Sequence, residues 1–171
     1  GQGIDSGNIH SSDNVFIGSI AGAGHNGADG NVGVGYKALL FARGDYSVAV
    51  GYEAGDHATG SYNTFVGAQA GQGGTTSAPY SSGESNVAVG YQALTAFTTG
   101  DINIAIGHQA AMGVSTGNAN VVIGRSSFSS ATTTSNVVLV GDEAGKAINS
   151  TDADGTVAIG YKAGGSITSG Q

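Results

Sequence analysis

Cysteine is absent from the 171 residues and proline occurs once. Without cysteine there is no disulfide framework, no thiol nucleophile and no thiolate zinc site. Basic residues are scarce: five Lys and Arg against twelve Asp and Glu leave a net charge of −7. That balance argues against nucleic acid as a partner and against anionic membrane surfaces. No apolar run approaches the length of a membrane-spanning helix. No secretory signal pattern is visible, and the chain begins on glycine, as a processed product or part of a longer chain would. Charged residues are only 10% of the chain and hydrophobic ones 39%. Disordered chains show the opposite bias, so a folded chain is expected, and its length suits one domain.

What the chain has in excess is glycine, 32 residues, several times the usual share of about 7%. No strict G-X-Y period accompanies it, which excludes collagen. Instead one motif recurs nine times: Asn or a stand-in, three apolar residues, Gly, two variable residues, then Ala. The copies begin NVFIGSIAG at Asn14, NVGVGYKAL at Asn31, SVAVGYEAG at Ser47, NTFVGAQAG at Asn63 and NVAVGYQAL at Asn86. NIAIGHQAA at Asn103, NVVIGRSSF at Asn120, VVLVGDEAG at Val137 and TVAIGYKAG at Thr156 complete the set. The motif glycines are spaced by 17, 16, 16, 23, 17, 17, 17 and 19 residues. Such regularity means a solenoid, each coil stacked on its neighbours.

Within a copy, the second and fourth positions are β-branched in all nine repeats, which with their short length points to a strand. The following glycine is expected to supply a positive-φ turn or a close backbone approach. The Ala three residues on, replaced only by Ser127, suggests a second tight packing point. One coil is expected to hold two short strands and two turns. The third position should be polar if its face met water. It is Phe16, Gly33, Ala49, Phe65, Ala88, Ala105, Val122, Leu139 and Ala158. Both faces of the strand are therefore apolar, and a thin coil has only one interior. Nine coils at about 4.8 Å make a stripe about 43 Å long and roughly 600 Å² in area, as much as a soluble monomer exposes. A seam between chains is expected along that stripe, its small residues permitting close approach.

These repeats resemble the YadA-like head repeat of trimeric autotransporter adhesins. The versions with an aromatic after the glycine, such as VGYKA and VGYQA, are similar to repeats of phage tail fibre proteins. The resemblance runs from Asn14 to Gly164. It implies a left-handed parallel β-roll, a homotrimer of intertwined or side-by-side chains, and attachment to a cell surface. It places the protein in a virion tail fibre or at an extracellular surface. The organisation expected is one domain over 1–171: a cap or fibre continuation at 1–13, nine repeats over 14–164 and an exit at 165–171. The period here is longer than that of the bacterial head, and no basic neck or coiled-coil stalk is present.

Other chemistry fits less well. Hexapeptide-repeat acyltransferases resemble a triangular helix with three [LIV]-G-x-x-A elements per coil; here there is one. Acyl transfer also needs a general base, and His10, His25, His57 and His108 occupy different phases of the repeat. No catalytic residues, metal site or cofactor are expected. Asp45, Asp56, Asp101, Asp152 and Asp154 are expected as solvated turn residues. Tyr36, Tyr52, Tyr91 and Tyr161 share the phase after the motif glycine, which favours a corner ladder over a sugar-binding array. The break in the period is the better binding candidate, because solenoid insertions map to loops that often bind. The 23-residue spacing carries Thr75, Thr76, Ser77, Pro79, Tyr80, Ser81 and Glu84, with the only proline and an off-phase tyrosine. These residues are expected to contact a cell-surface receptor, glycan or protein. The expected function is a structural and adhesive fibre module rather than an enzyme, with a tail fibre region first and a bacterial adhesin head second.

Overall fold

Each motif copy folds as one three-residue strand. The computed structural model describes residues 13–74 and 80–167. In chain order the strands are β1 (Val15–Ile17), β2 (Val32–Val34), β3 (Val48–Val50), β4 (Thr64–Val66) and β5 (Val87–Val89). They continue as β6 (Ile104–Ile106), β7 (Val121–Ile123), β8 (Val138–Val140) and β9 (Val157–Ile159). Each pairs in parallel with the next in one nine-stranded sheet. The ladder keeps the motif register: Val15 faces Val32, Ala88 faces Ala105 and Val140 faces Ile159. The chain is a β-solenoid of about eight turns, with a single turn of 3₁₀ helix at Thr151–Ala153.

The second strand expected in each coil is replaced, among the described residues, by consecutive turns. Ala38 N–H donates to the Gly35 carbonyl at 3.4 Å and Leu40 N–H to that of Lys37 at 3.2 Å. The φ angles are 56° at Lys37 and 49° at Leu39. A positive φ at the third residue of such a four-residue turn marks type II geometry. Gln92 and Leu94, Gln109 and Ala111, and Ser126 and Phe128 repeat the alternation. Left-handed backbone costs a residue with a side chain about 1–2 kcal/mol. Bonds to adjacent coils offset it: Lys37 N–H donates to the Ser19 carbonyl at 3.1 Å and Leu39 N–H to that of Ala54 at 3.0 Å. A coil of 16 or 17 residues closes only by bending this tightly. The motif glycine meets both demands expected of it. Its φ spans 127° at Gly160 to 145° at Gly51, and a Cβ at Gly67 would lie 2.7 Å from the Gly90 carbonyl oxygen.

Ala49, Phe65, Ala88, Ala105, Val122 and Leu139 are fully buried, Ala158 is 7% exposed, and Phe16 packs against the same core. This corrects the expected seam. The third motif position fills the lumen of its own chain, while the second and fourth point outward. The reason is size. The lumen holds one row from the strand and the buried Ala38, Ala54, Ala70, Ala93, Ala110 and Ala144 opposite. In five coils volume is balanced between the two positions. A large strand residue there faces glycine, as Phe16 with Gly22, Phe65 with Gly71 and Leu139 with Gly145. A small one is followed by leucine in the same place, as Gly33 with Leu39 and Ala88 with Leu94. The Ala49–Gly55, Ala105–Ala111 and Ala158–Gly164 pairs are small on both sides, and Val122–Phe128 is large on both.

Along one wall runs a ladder of buried amides. Asn31 Oδ1 accepts from Ser47 N–H at 2.8 Å, and Asn31 Nδ2 donates to the Gly44 carbonyl at 3.0 Å. Asn86 makes the same two bonds to Asn103 N–H and the Gly100 carbonyl, both at 2.9 Å. Asn103 bridges likewise to Asn120 and Gly117, and Asn120 to Val137 and Thr134. Each asparagine thus satisfies two backbone groups of the next coil, which would otherwise be buried unpaired. That explains the first letter of the motif.

The volume balance is testable. Phe65→Ala should cost about 3–5 kcal/mol, and Gly71→Leu alone should overpack against the Phe65 ring. The double variant recreates the Ala88–Leu94 pairing and should recover most of the loss in chemical denaturation. Additive losses would refute the compensation.

Candidate functional site

The insertion after β4 returns to the coil at Tyr80. Thr75, Thr76, Ser77 and Pro79 lie outside the described residues. Tyr80 stacks on Phe41 with centroids 4.5 Å apart and planes 14° from parallel. The His57 ring lies 5.6 Å from Phe41 and 5.7 Å from Tyr80, and the Arg43 guanidinium sits 5.5 Å from the Tyr80 centroid. Side chains from two coils thus clamp the root of the loop. Ser81 is 1% exposed. Its N–H donates to the His57 carbonyl at 3.0 Å, its carbonyl accepts from Thr59 N–H at 2.7 Å, and it bridges to Ala58 as a strand would. Ser81 is therefore part of the solenoid wall, which corrects its expected place at the receptor surface. Glu84 is exposed, and its N–H donates to Asp101 Oδ1 at 2.7 Å.

Beneath the clamp lies a carboxylate that the sequence placed in solvent. Asp56 is 2% exposed. Among the described residues its Oδ1 and the neighbouring His57 Nδ1 have no hydrogen-bond partner, and Oδ2 stands 3.8 Å from that nitrogen. This separation is too long for the hydrogen bond that orients a catalytic imidazole. Burial pushes the Asp56 carboxyl above its ordinary range, and the nearby Glu53 adds to the rise; His57 and Lys37 oppose it. Burial was invisible in the sequence, because a turn aspartate normally faces water. Among the described residues no three His, Asp or Glu side chains converge as a metal site would need.

Asp152 is exposed, as expected of a turn acid, but three others have a structural task. Asp29 N–H donates to Asp45 Oδ1 at 2.9 Å, Asp101 N–H to Asn118 Oδ1 at 2.7 Å and Ser135 N–H to Asp154 Oδ1 at 2.7 Å. Asp45, Asp101 and Asp154 therefore link successive coils along an outer edge. Nothing in a single copy announces this; the signal is the recurrence of Asp, Ser or Asn two residues before the motif.

The outward positions of the strands form a second candidate surface. Val15, Ile17, Val50, Val66, Ile104, Ile106, Ile123, Val157 and Ile159 are all exposed, from 36% at Ile104 to 68% at Ile159. Tyrosines border them. Tyr46 and Tyr62 stack at 5.8 Å along one margin, and Tyr36 and Tyr52 at 5.4 Å along the other. Of the expected corner ladder Tyr36, Tyr52, Tyr91 and Tyr161, only Tyr36 and Tyr52 stack on each other, and Tyr91 packs on His108 instead; the four rings of the two stacked pairs are 41–59% exposed.

The chain matches no protein-family model, no curated protein and no solved structure. The functional reading rests on the repeat and on these surfaces.

The buried carboxylate generates a prediction. A folded-state pKa raised above the unfolded one favours folding at low pH, and that contribution fades as pH rises through the folded value. Asp56→Asn should therefore raise the melting temperature at pH 7, by about 2–4 °C for each kcal/mol gained. The advantage should shrink as the pH falls through the ordinary carboxylate range. A difference independent of pH would refute the assignment.

Proposed function

We propose that the chain is a structural and adhesive fibre module that assembles as a homotrimer, as in the tail fibre and adhesin repeats that it resembles. The observation carrying this reading is the outer face of the sheet. Its β-branched columns run the length of the solenoid, about 43 Å at a strand spacing of about 4.8 Å. No charged residue occupies the first or third position of any strand, the second and fourth of the motif. A contiguous apolar face of this size marks an interaction site, and the geometry favours copies of the same rod laid side by side. The area available, roughly 600 Å² before the bordering tyrosines, approaches the about 800 Å² per partner of a standard interface. The left-handed roll belongs to the same reading.

Adhesion is assigned to the insertion. The Phe41–Tyr80 clamp fixes its root, so a rigid rod would hold that root and the exposed Glu84 at a constant place on each chain. Three copies would engage a cell-surface receptor, glycan or protein, by avidity. A hexapeptide-type acyltransferase is less well supported, since each coil carries one strand and one motif rather than three. A bacterial adhesin head remains the second reading of the same surface.

Light scattering on the purified chain tests assembly. The expected mass is near 50 kDa, three times 16.6 kDa. The double variant Ile106→Glu, Ile123→Glu should lower it to one chain while the coil stays folded, because both side chains point outward. A wild-type mass of one chain would overturn the trimer. Replacing residues 75–79 with a glycine link should abolish cell attachment and leave the rod intact; undiminished attachment would sink the loop as receptor site.

A further inference from the structure

Between Tyr36 and His108 the column of rings that follows the motif glycine is interrupted at one level. In stacking order it reads Tyr36, Tyr52, Ala68, Tyr91, His108. Tyr36 and Tyr52 lie ring on ring, 21° from parallel. Tyr91 and His108 have centroids 5.2 Å apart at 37°. One face of Tyr52 is thus taken by Tyr36 and one face of Tyr91 by His108. The other two faces lie toward the level of Ala68, whose methyl group carries no ring to stack on them. Two coil steps separate Tyr52 from Tyr91, roughly 10 Å. A flat ring placed midway would lie about 5 Å from each, within the range of about 4.5–7 Å at which rings pack. Tyr52 is 52% exposed and Tyr91 46%.

The neighbouring column supplies polar groups at the same height. Gln92 Nε2 donates to Gln69 Oε1 at 2.9 Å, and Gln69 Nε2 to Glu53 Oε2 at 3.1 Å. Each amide nitrogen has two hydrogens, so each keeps a second donor for a ligand. The Glu53 carboxylate beside the Tyr52 phenol holds it above its ordinary pKa.

We infer that the space between Tyr52 and Tyr91, floored by Ala68, is a binding slot for one pyranose ring of a glycan. Aromatic faces on both sides require a sugar that is apolar on both sides. A gluco-configured β-pyranose meets this: its hydroxyls are equatorial, and its axial bonds carry only hydrogen. A galacto ring carries one axial hydroxyl, which would be desolvated against an aromatic face at a cost. The equatorial hydroxyls project sideways, where the glutamine column can donate to them. The slot lies outside the insertion and shares with the adhesive reading only the class of ligand.

The test uses cellotetraose, a β-linked gluco-configured tetrasaccharide, added to the full chain while the tyrosine ring resonances are followed by NMR. Tyr52 and Tyr91 should shift together and saturably, with Tyr46 and Tyr62 on the opposite margin unmoved. Ala68→Tyr completes the stack as Tyr52 already follows Tyr36, so the fold should persist and the response should vanish. Tyr91→Ala removes an exposed ring and should weaken binding roughly fivefold to tenfold. Methyl β-D-glucopyranoside should bind more tightly than its galacto epimer. No shift up to the solubility of the sugar, a shift that survives Ala68→Tyr, or equal response to the two glycosides would overturn the proposal. Replacing residues 75–79 should leave the titration unchanged, so the slot and the loop stand or fail separately.

Discussion

One distance governs the molecule: the spacing of about 4.8 Å between parallel strands. Every coil must present backbone donors and acceptors to the coils on either side at that interval. Glycine follows each strand because the next motif glycine's carbonyl occupies the place where a Cβ would go. Asparagine precedes most strands because its amide spans one interval and satisfies both an N–H and a carbonyl of the next coil. Outside, aspartate, serine and asparagine do related work, accepting from the backbone of the coil before. Even the tyrosines obey the spacing, stacking in pairs at 5.4 and 5.8 Å.

The same spacing decides which side chains go inside. Successive residues of a strand alternate between faces, and the consecutive turns pull the opposite wall close. The lumen left between them takes a single row from each wall. Small residues therefore predominate on the strand's inner face, and where Phe16 or Phe65 enters from the strand, a glycine withdraws opposite it. The β-branched residues, favoured by strand backbone, are left on the outer face. A one-chain solenoid of this sequence thus satisfies its own core and still exposes valine and isoleucine along its length. Under the proposed assembly, the driving force would come from the outside of the coil, where those residues have water to lose.

The repeat made the architecture legible: nine strands, their register and the positive φ of the motif glycines follow from Val87, Val89 and Gly90 and their equivalents. Which face was interior was not legible. Alternation shows that Ala88 and Val87 point apart, but with both apolar the pattern carries no polarity, and only the closure of the turns breaks the tie. The second strand was misjudged because Lys37 and Leu39 adopt left-handed backbone, which propensity assigns to glycine. Their conformation is imposed by bonds to Ser19 and Ala54, partners that are remote in sequence. At the insertion, the off-phase Tyr80 was visible, whereas its stacking on Phe41 and the burial of Asp56 and Ser81 depended on how the chain re-enters the coil.

A periodic structure is informative where it departs from its period. In the buried amide ladder each member's groups are used by the next coil wherever the ladder is complete. The amide ladder loses its side chain at Val137, and Thr156 turns its hydroxyl back to the Ala153 carbonyl in its own coil. The tyrosine column loses its ring at Ala68, and among the described residues the sheet face has no second layer. Of these breaks, the amide one is buried and sealed by the fold. The other two open outward, one as a slot a ring wide and one as a face a rod long. The chemistry available to a partner is set by what the missing member would have supplied: an aromatic surface at the slot, an apolar wall at the sheet.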